Sequence, residues 1–308
     1  MKRYIYIFPI LLLFLIIAAT TSCKKEKQQV INTDTDTFNE MRFFASIDQS
    51  KIQSINEIIE GFTSPIEMAA MIEDNKIPFS KKYLASTDII DNYDTNIKKA
   101  FGLGVLSADL GYLTVYQKNN MIVNYLIAIN RLANDLKVAQ FFDFETLKNL
   151  VSNSDNIDSL VFISVSGFHQ IDQYFRQSNR SYLSVLSVTG VWIESFYLIT
   201  QVAKDNPELN FKDIIGSQKT LFTKLFEIIK VYKGHPTFDY IISQMNKLRI
   251  AFEPVQITEK HVQPKVEYKD GNLVIYPETE TIITVSDDNL QNIIKTTQQV
   301  RNNLLNLQ

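Results

Sequence analysis

Cysteine is nearly missing from this chain, with one residue, Cys23, in 308. A single thiol excludes an intrachain disulfide framework and a cysteine-based zinc cluster. Histidine is scarce as well: His169, His235 and His261 stand more than 20 residues apart and offer no metal-ligand spacing. Glycine occurs nine times, which argues against a large sandwich or a Gly-rich phosphate-binding fold. No basic excess exists, since 31 Lys and Arg face 34 Asp and Glu for a net charge of −3. Nucleic acid is therefore not an expected partner. No Gly-x-Ser-x-Gly elbow, His-Glu-x-x-His, Walker lysine or EF-hand loop is present. Gly102-Leu103-Gly104-Val105-Leu106-Ser107 begins like a dinucleotide fingerprint. However, no strand precedes it, Ser107 replaces the third glycine, and the next acid follows Gly104 by five residues instead of about 20. Neither a cofactor nor a metal is expected. The remaining composition, 45% hydrophobic and 21% charged, is that of an ordinary folded protein.

The chain opens MKRYIYIFPILLLFLIIAATTSC. Lys2 and Arg3 make a short positive start, Tyr4 to Ala19 is an uncharged apolar run of 16 residues, and small residues lead to Cys23. That is the architecture of a secretory signal. As a helix the run would span about 24 Å, short of the roughly 30 Å core of a bilayer. The end of the segment, Thr20-Thr21-Ser22-Cys23, resembles a bacterial lipoprotein signal, in which the cysteine is lipidated and becomes the first mature residue. Thr20 stands where leucine is usual, as in the looser signals of Bacteroidota. The resemblance implies a signal peptide over 1–22 and a membrane anchor at Cys23. A flexible tether over 23–40 follows, because Lys24 to Thr37 is polar and almost free of large apolar groups. Lys24, Lys25 and Lys27 surround a single Glu26, so the acidic surface-export run of some Bacteroidota lipoproteins is not seen. The expected location is the outer membrane, with the periplasmic face favoured over the cell surface.

The rest, 41–308, reads as a single mainly α domain: a helical body over 41–253 and an appendage over 254–308. No proline interrupts the 128 residues from Phe79 to Asn206, so long helices are free to form. Thr63-Ser64-Pro65-Ile66-Glu67 is a helix start, with hydroxyl caps, proline in the first turn and an acid just inside. Apolar periodicity predicts helices near 50–60, 65–74, 91–117, 120–137, 144–152, 156–177, 181–204, 211–232 and 237–251. After Pro254, Lys265–Tyr268 and Leu273–Tyr276 flank an Asp270-Gly271 pair, the signature of a β-hairpin. A lone hairpin is marginal in water, so it should dock on the helices. Ser286-Asp287-Asp288 then caps a last helix with Leu290, Ile293, Ile294, Thr297, Leu304 and Leu307 on one stripe.

Two of these segments are apolar nearly all round. Asp109 is the only charge from Ala100 to Gln117, and Glu194 the only one from Ser181 to Ala203. Helices without a polar face are buried on several sides, so these two are the expected hubs of the bundle. They share a pattern. Gly104-Val105 precedes Asp109, Gly190-Val191 precedes Glu194, and each acid has a tyrosine three residues on, Tyr112 and Tyr197. That spacing puts acid and phenol on one helix face, and the glycines permit close approach of a neighbouring backbone. A weak internal duplication or chance in a Tyr-rich chain would each account for it. Asp109, Tyr112, Glu194 and Tyr197 could bind a small ligand or hold a proton for acid–base work. Alternatively, each buried acid is satisfied by a tyrosine, a backbone amide or a basic side chain such as Arg131 or Arg176. Trp192 reads as core packing, His169 as a packed helical residue and His235 as a solvated turn residue.

The body resembles all-helical lipoproteins of Bacteroidota to which no activity is assigned. The likeness is carried by Gly104–Tyr112, Asn124–Leu126 to Leu132-Ala133, Gly190–Tyr197 and Val300-Arg301-Asn302. It implies a helical envelope protein and no catalytic residue. Three functions stay open, in order of preference. They are a non-catalytic accessory or scaffold subunit of an outer-membrane or periplasmic complex, a small-ligand-binding bundle with its pocket between the hub helices, and an enzyme using Asp109 and Glu194.

Overall fold

A computed structural model describes residues 42–48, 50, 65–142, 144, 157–261, 266–269, 272–275 and 279–307. The expected signal, tether and Cys23, and the expected helices at 50–60 and 144–152, lie outside the described residues. Residues 43–308 cluster as one unit, and its architecture is mainly α. The helices are α1 Pro65–Asp74, α2 Asn96–Val115, α3 Asn119–Asp135, α4 Ile157–Gln177, α5 Ser181–Asp205, α6 Lys212–Lys230, α7 Pro236–Phe252 and α8 Asp287–Leu305.

Their ends follow from local chemistry. Thr95 caps α2 by accepting from Lys98 N, and Ser286 caps α8 by accepting from Asn289 N. Pro236 opens α7, where its missing N–H costs nothing. Glycine being scarce, helices close on other residues in the left-handed region, among them Gln117 at φ 52°, Lys137 at φ 61° and Asn179 at φ 56°. After each, a backbone N–H returns to the last turn, Lys118 to Leu113 O, Val138 to Ala133 O and Arg180 to Phe175 O. These are Schellman closures, which satisfy carbonyls left over at the helix end. Helix α2 begins at Asn96, later than the periodicity predicts. Ser86 caps a short 3-10 turn over Thr87–Asn92 instead, and Thr95 restarts the chain as α-helix.

Helices α2 and α5 make the most extensive contact in the molecule and form its centre, with α1 and α3 on α2, and α8 on both α5 and α7. Nearly every side chain of α5 is buried, and its apolar stretch, long enough to cross a membrane, lies wholly inside the protein. Burial of each large apolar side chain in such a core contributes about 1.5–3 kcal/mol. Trp192 stacks on Phe196 at 4.9 Å between ring centroids and leans on Phe222 at 5.2 Å, the core role expected of it. His235 differs from expectation. It is half-buried among Phe43, Phe44 and Phe238, because the turn before α7 folds under an aromatic cluster that also stacks Phe44 on Tyr182.

The appendage has two nested antiparallel pairs. Strands β2 (Val266–Lys269) and β3 (Asn272–Ile275) pair in a register that sets Lys269 opposite Asn272, leaving two residues, Asp270 and Gly271, for the connection. Outside them, β1 (Gln256–His261) pairs with β4 (Thr279–Thr284), an outer pair that the sequence pattern does not announce. This outer pair docks on α6. Ile257 and Ile283 pack against the core, and Gly216 leaves room for Ile283 and Val285.

Candidate functional site

The site grows from a glycine crossing. A Cβ on Gly104 would overlap the Ser187 carbonyl oxygen and stand 2.7 Å from Val191 N. A Cβ on Gly190 would overlap the Phe101 carbonyl oxygen and stand 3.0 Å from Val105 N. The two contacts mirror each other: each glycine faces the carbonyl three residues before, and the amide one residue after, its counterpart. Only glycine permits this approach of two helix backbones. Each hub acid lies about one turn beyond its glycine, and the crossing brings the two together.

Asp109 and Glu194 are fully buried and face each other across the α2–α5 contact. Arg301 reaches in from α8. Its Nε donates to Glu194 Oε2 at 2.8 Å and its Nη2 to Glu194 Oε1 at 2.5 Å. This is the bidentate geometry that gives guanidinium–carboxylate pairs their strength. The guanidinium also lies 4.4 Å from the centre of the Tyr197 ring, a cation–π contact. Burial alone would lower the Arg301 pKa, but the Glu194 charge and its hydrogen bonds outweigh that and raise it.

Two acids and one base in a dry site leave a charge to be removed. Asp109 loses it. Burial first, and the Glu194 charge second, push its carboxyl well above the ordinary 3.8, against the opposing pull of Arg301 and the Ala85 amide. Asp109 Oδ1 meets no donor among the described residues; the group facing it is Glu194. The Glu194 side chain, by its charge and as a hydrogen-bond partner, favours the protonated form of Asp109, and with that proton in place the cluster carries no net charge.

The rest of the polar face of α2 is taken by the connection between α1 and α2. Residues 77–93 cross the hub as a strap of two short 3-10 turns, Lys81–Tyr83 and Thr87–Asn92, with extended links, and α2 holds its backbone through side chains one turn apart. Asp109 Oδ2 accepts from Ala85 N at 2.9 Å, and Tyr112 Oη accepts from Ser80 N at 3.1 Å. Tyr116 donates to Ile77 O at 2.6 Å, while Tyr125 of α3 donates to Ala85 O at 2.5 Å. The strap's own Tyr83 donates to Asp205 at the end of α5, which also binds Lys82 at 2.7 Å. Burial raises the pKa values of Tyr83, Tyr93, Tyr112, Tyr116, Tyr125 and Tyr197, so these phenols stay neutral donors and acceptors.

Of the residues singled out in the sequence, Asp109 and Glu194 meet, while their tyrosines part. Tyr112 serves the strap, and Tyr197 lies under Arg301. The cation is neither Arg131, which pairs with the exposed Asp91 at 2.6 Å, nor Arg176, which pairs with Asp172 one turn away at 2.6 Å. It is Arg301, which a signal in the sequence does mark. This arginine sits four residues after Thr297 and three before Leu304, inside the apolar stripe of α8, where a charge needs a buried partner. Chemically, the cluster can hold a proton and lock three helices. Acid–base work on a substrate would require the strap or α8 to give way. Comparison with known proteins finds no matching family, no matching characterised protein and no matching solved structure.

Proposed function

We propose that this protein is a lipid-anchored envelope protein, tethered by Cys23 on the periplasmic side of the outer membrane, whose helical domain is a non-catalytic accessory or scaffold subunit of an envelope complex. One observation favours scaffolding over catalysis: the charged side chains at the centre are already engaged within the chain. Arg301 engages both oxygens of Glu194, and Ala85 N–H binds Asp109, so the best acid–base pair in the molecule works as a lock. The anchor rests on the apolar leader ending in the chain's one cysteine.

The wild type should incorporate fatty acid and fractionate with membranes, and Cys23→Ala should do neither. A wild type without fatty acid, or a variant still in the membrane fraction, contradicts the anchor. Purified from its native envelope in mild detergent, the wild type should carry a stoichiometric envelope protein. Recovery of the chain without such a protein contradicts the accessory role.

A small polar ligand between the hub helices is the second reading. It is favoured by the buried hydroxyls of Tyr93, Ser184, Ser187 and Ser195 and by Trp192 Nε1, which find no hydrogen-bond partner among the described residues. With Asp109 and Glu194 they would line such a site, and Tyr112 and Tyr197 would join it only by leaving the strap and Arg301.

A further inference from the structure

The cover over Asp109 is uneven. Large buried side chains pin the strap at both ends, Ile77 and Tyr83 on one side and Ile90 and Tyr93 on the other. Between Tyr83 and Ile90, Ala85 alone is buried, while Leu84 and Ile89 are half-buried. Ala85 is also where this stretch is tied to the helices. Its N–H donates to Asp109 Oδ2 at 2.9 Å, and its carbonyl accepts from Tyr125 at 2.5 Å. Ser86, the next residue, is exposed, and Thr87 lines an open cleft of about 350 Å³ between the strap and α3. Along the strap, two residues thus separate the Asp109 carboxyl from a cleft open to water.

Beneath that cover, two carboxyl groups share one guanidinium, all three buried. Glu194 and Tyr197 of α5, Arg301 of α8, Tyr125 of α3 and Tyr112 of α2 lie within electrostatic reach of Asp109. Arg301 already binds both oxygens of Glu194. The strap brings no compensating charge: Lys81, Lys82, Asp88 and Asp91 are exposed, and the buried Tyr93 senses Glu194 and Arg301. On α1, the exposed Glu73 acts on Tyr116 instead. With Oδ1 lacking a donor among the described residues, a negative Asp109 is a surplus charge that only water can solvate. Water enters where the cover is weakest. The hub crossing is backbone on backbone, and α8 is held by a bidentate pair and an apolar stripe. Leu84–Ile89 is tied to the helices at Ala85.

We propose that Leu84–Ile89 is a proton-controlled gate over the hub, shut while Asp109 holds its proton and lifted towards solvent when that proton is lost, with Tyr83 and Ile90 as its fixed ends. Opening breaks the bonds at Ala85 and admits water from the cleft to the carboxylate. The glycine crossing and the Glu194–Arg301 pair stay in place, so the event is local and distinct from unfolding of the whole chain. The gate rests on neither the lipid anchor nor the accessory role, and its failure leaves both standing.

Amide hydrogen exchange of the full chain, corrected for the intrinsic rate at each pH, reads the gate. Above about pH 4, where a solvated carboxyl ionises, opening is linked to loss of one proton. Protection of the Leu84–Ile89 amides should therefore fall about tenfold per pH unit, levelling off once the closed form ionises too. Low denaturant should leave this exchange unchanged, the mark of local opening, and α5 amides should stay better protected. Asp109→Asn should keep the strap closed and abolish the slope. Tyr125→Phe removes only the bond to the Ala85 carbonyl, so it should lower protection about tenfold at every pH and keep the slope. Wild-type strap amides with no pH dependence beyond the intrinsic rate overturn the proposal. So do strap amides that exchange only together with those of α5, or a slope that survives in Asp109→Asn.

Discussion

Replacing Asp109 by asparagine removes one ionisation and keeps the local hydrogen bonding. The amide oxygen can accept from Ala85 N–H, and the amide nitrogen can donate to Glu194 in place of the retained proton. The pH response is what should change. Asp109 has a folded-state pKa raised well above the ordinary 3.8, so between those values the folded chain binds a proton that the unfolded chain has lost. The stabilisation from this group is complete below about pH 4 and falls as pH rises towards the folded value, by about 1.4 kcal/mol per pH unit. Denaturant unfolding at several pH values should show this slope in the wild type and its loss in Asp109→Asn, with little change in spectroscopic fold. An unchanged slope in the variant would mean that another group carries it. Sequence alone marks Asp109 and Glu194 as isolated charges in apolar segments. It does not say which loses its charge, because that depends on Arg301, 107 residues beyond Glu194.

At the scale of elements, the glycine crossing is the least tolerant point. Gly104→Ala places a methyl group against the backbone of Ser187 and Val191, and two packed helices cannot open locally to admit it. Overpacking a core commonly costs about 1–3 kcal/mol. Here the obstacle is main chain and not a flexible side chain, so the loss should reach or exceed the upper figure, measured as a drop in denaturant midpoint. An alanine tolerated within about 0.5 kcal/mol would show that the helices stand further apart. Most elements were legible beforehand because they depend on near neighbours: periodicity gave the helices, Ser286 the cap of α8, and Asp270-Gly271 the inner strand pair. The strap was not. Its backbone is satisfied by Asp109, Tyr112, Tyr116 and Tyr125, partners 24 to 40 residues away, and no local pattern records such bonds. The outer strand pair escaped for the same reason, since Gln256–His261 meets Thr279–Thr284 across the inner hairpin.

For the molecule as a whole, the cluster ties together three regions distant in sequence: the strap through Ala85, the hubs through Asp109 and Glu194, and the C-terminal helix through Arg301. A buried ion pair need not add net stability, because desolvating both charges offsets their attraction, but breaking one side leaves an unpaired charge in the core. Glu194→Leu alone strands the Arg301 guanidinium, which is only 7% exposed, and Arg301→Met alone strands the Glu194 carboxylate beside Asp109. Each should cost about 3–5 kcal/mol. The double variant Glu194→Leu, Arg301→Met removes both charges and fills much of the same volume, so it should recover most of that loss. The resulting coupling energy in a double-mutant cycle should be about 2 kcal/mol or more, above the range of exposed pairs. The wild type and the three variants are to be compared by denaturant unfolding at one pH, with Asp109 unaltered. Additive losses would mean that α8 is held by its apolar stripe alone and that Arg301 is incidental to the lock. Recovery in the double variant would identify the pair as the point where the C-terminal helix is fixed to the hub, and would also yield a chain in which Asp109 no longer faces a neighbouring carboxylate. In that chain Asp109 loses both the upward push of Glu194 and the opposing pull of Arg301 and keeps burial, the largest cause of its raised pKa, so its pH slope should persist.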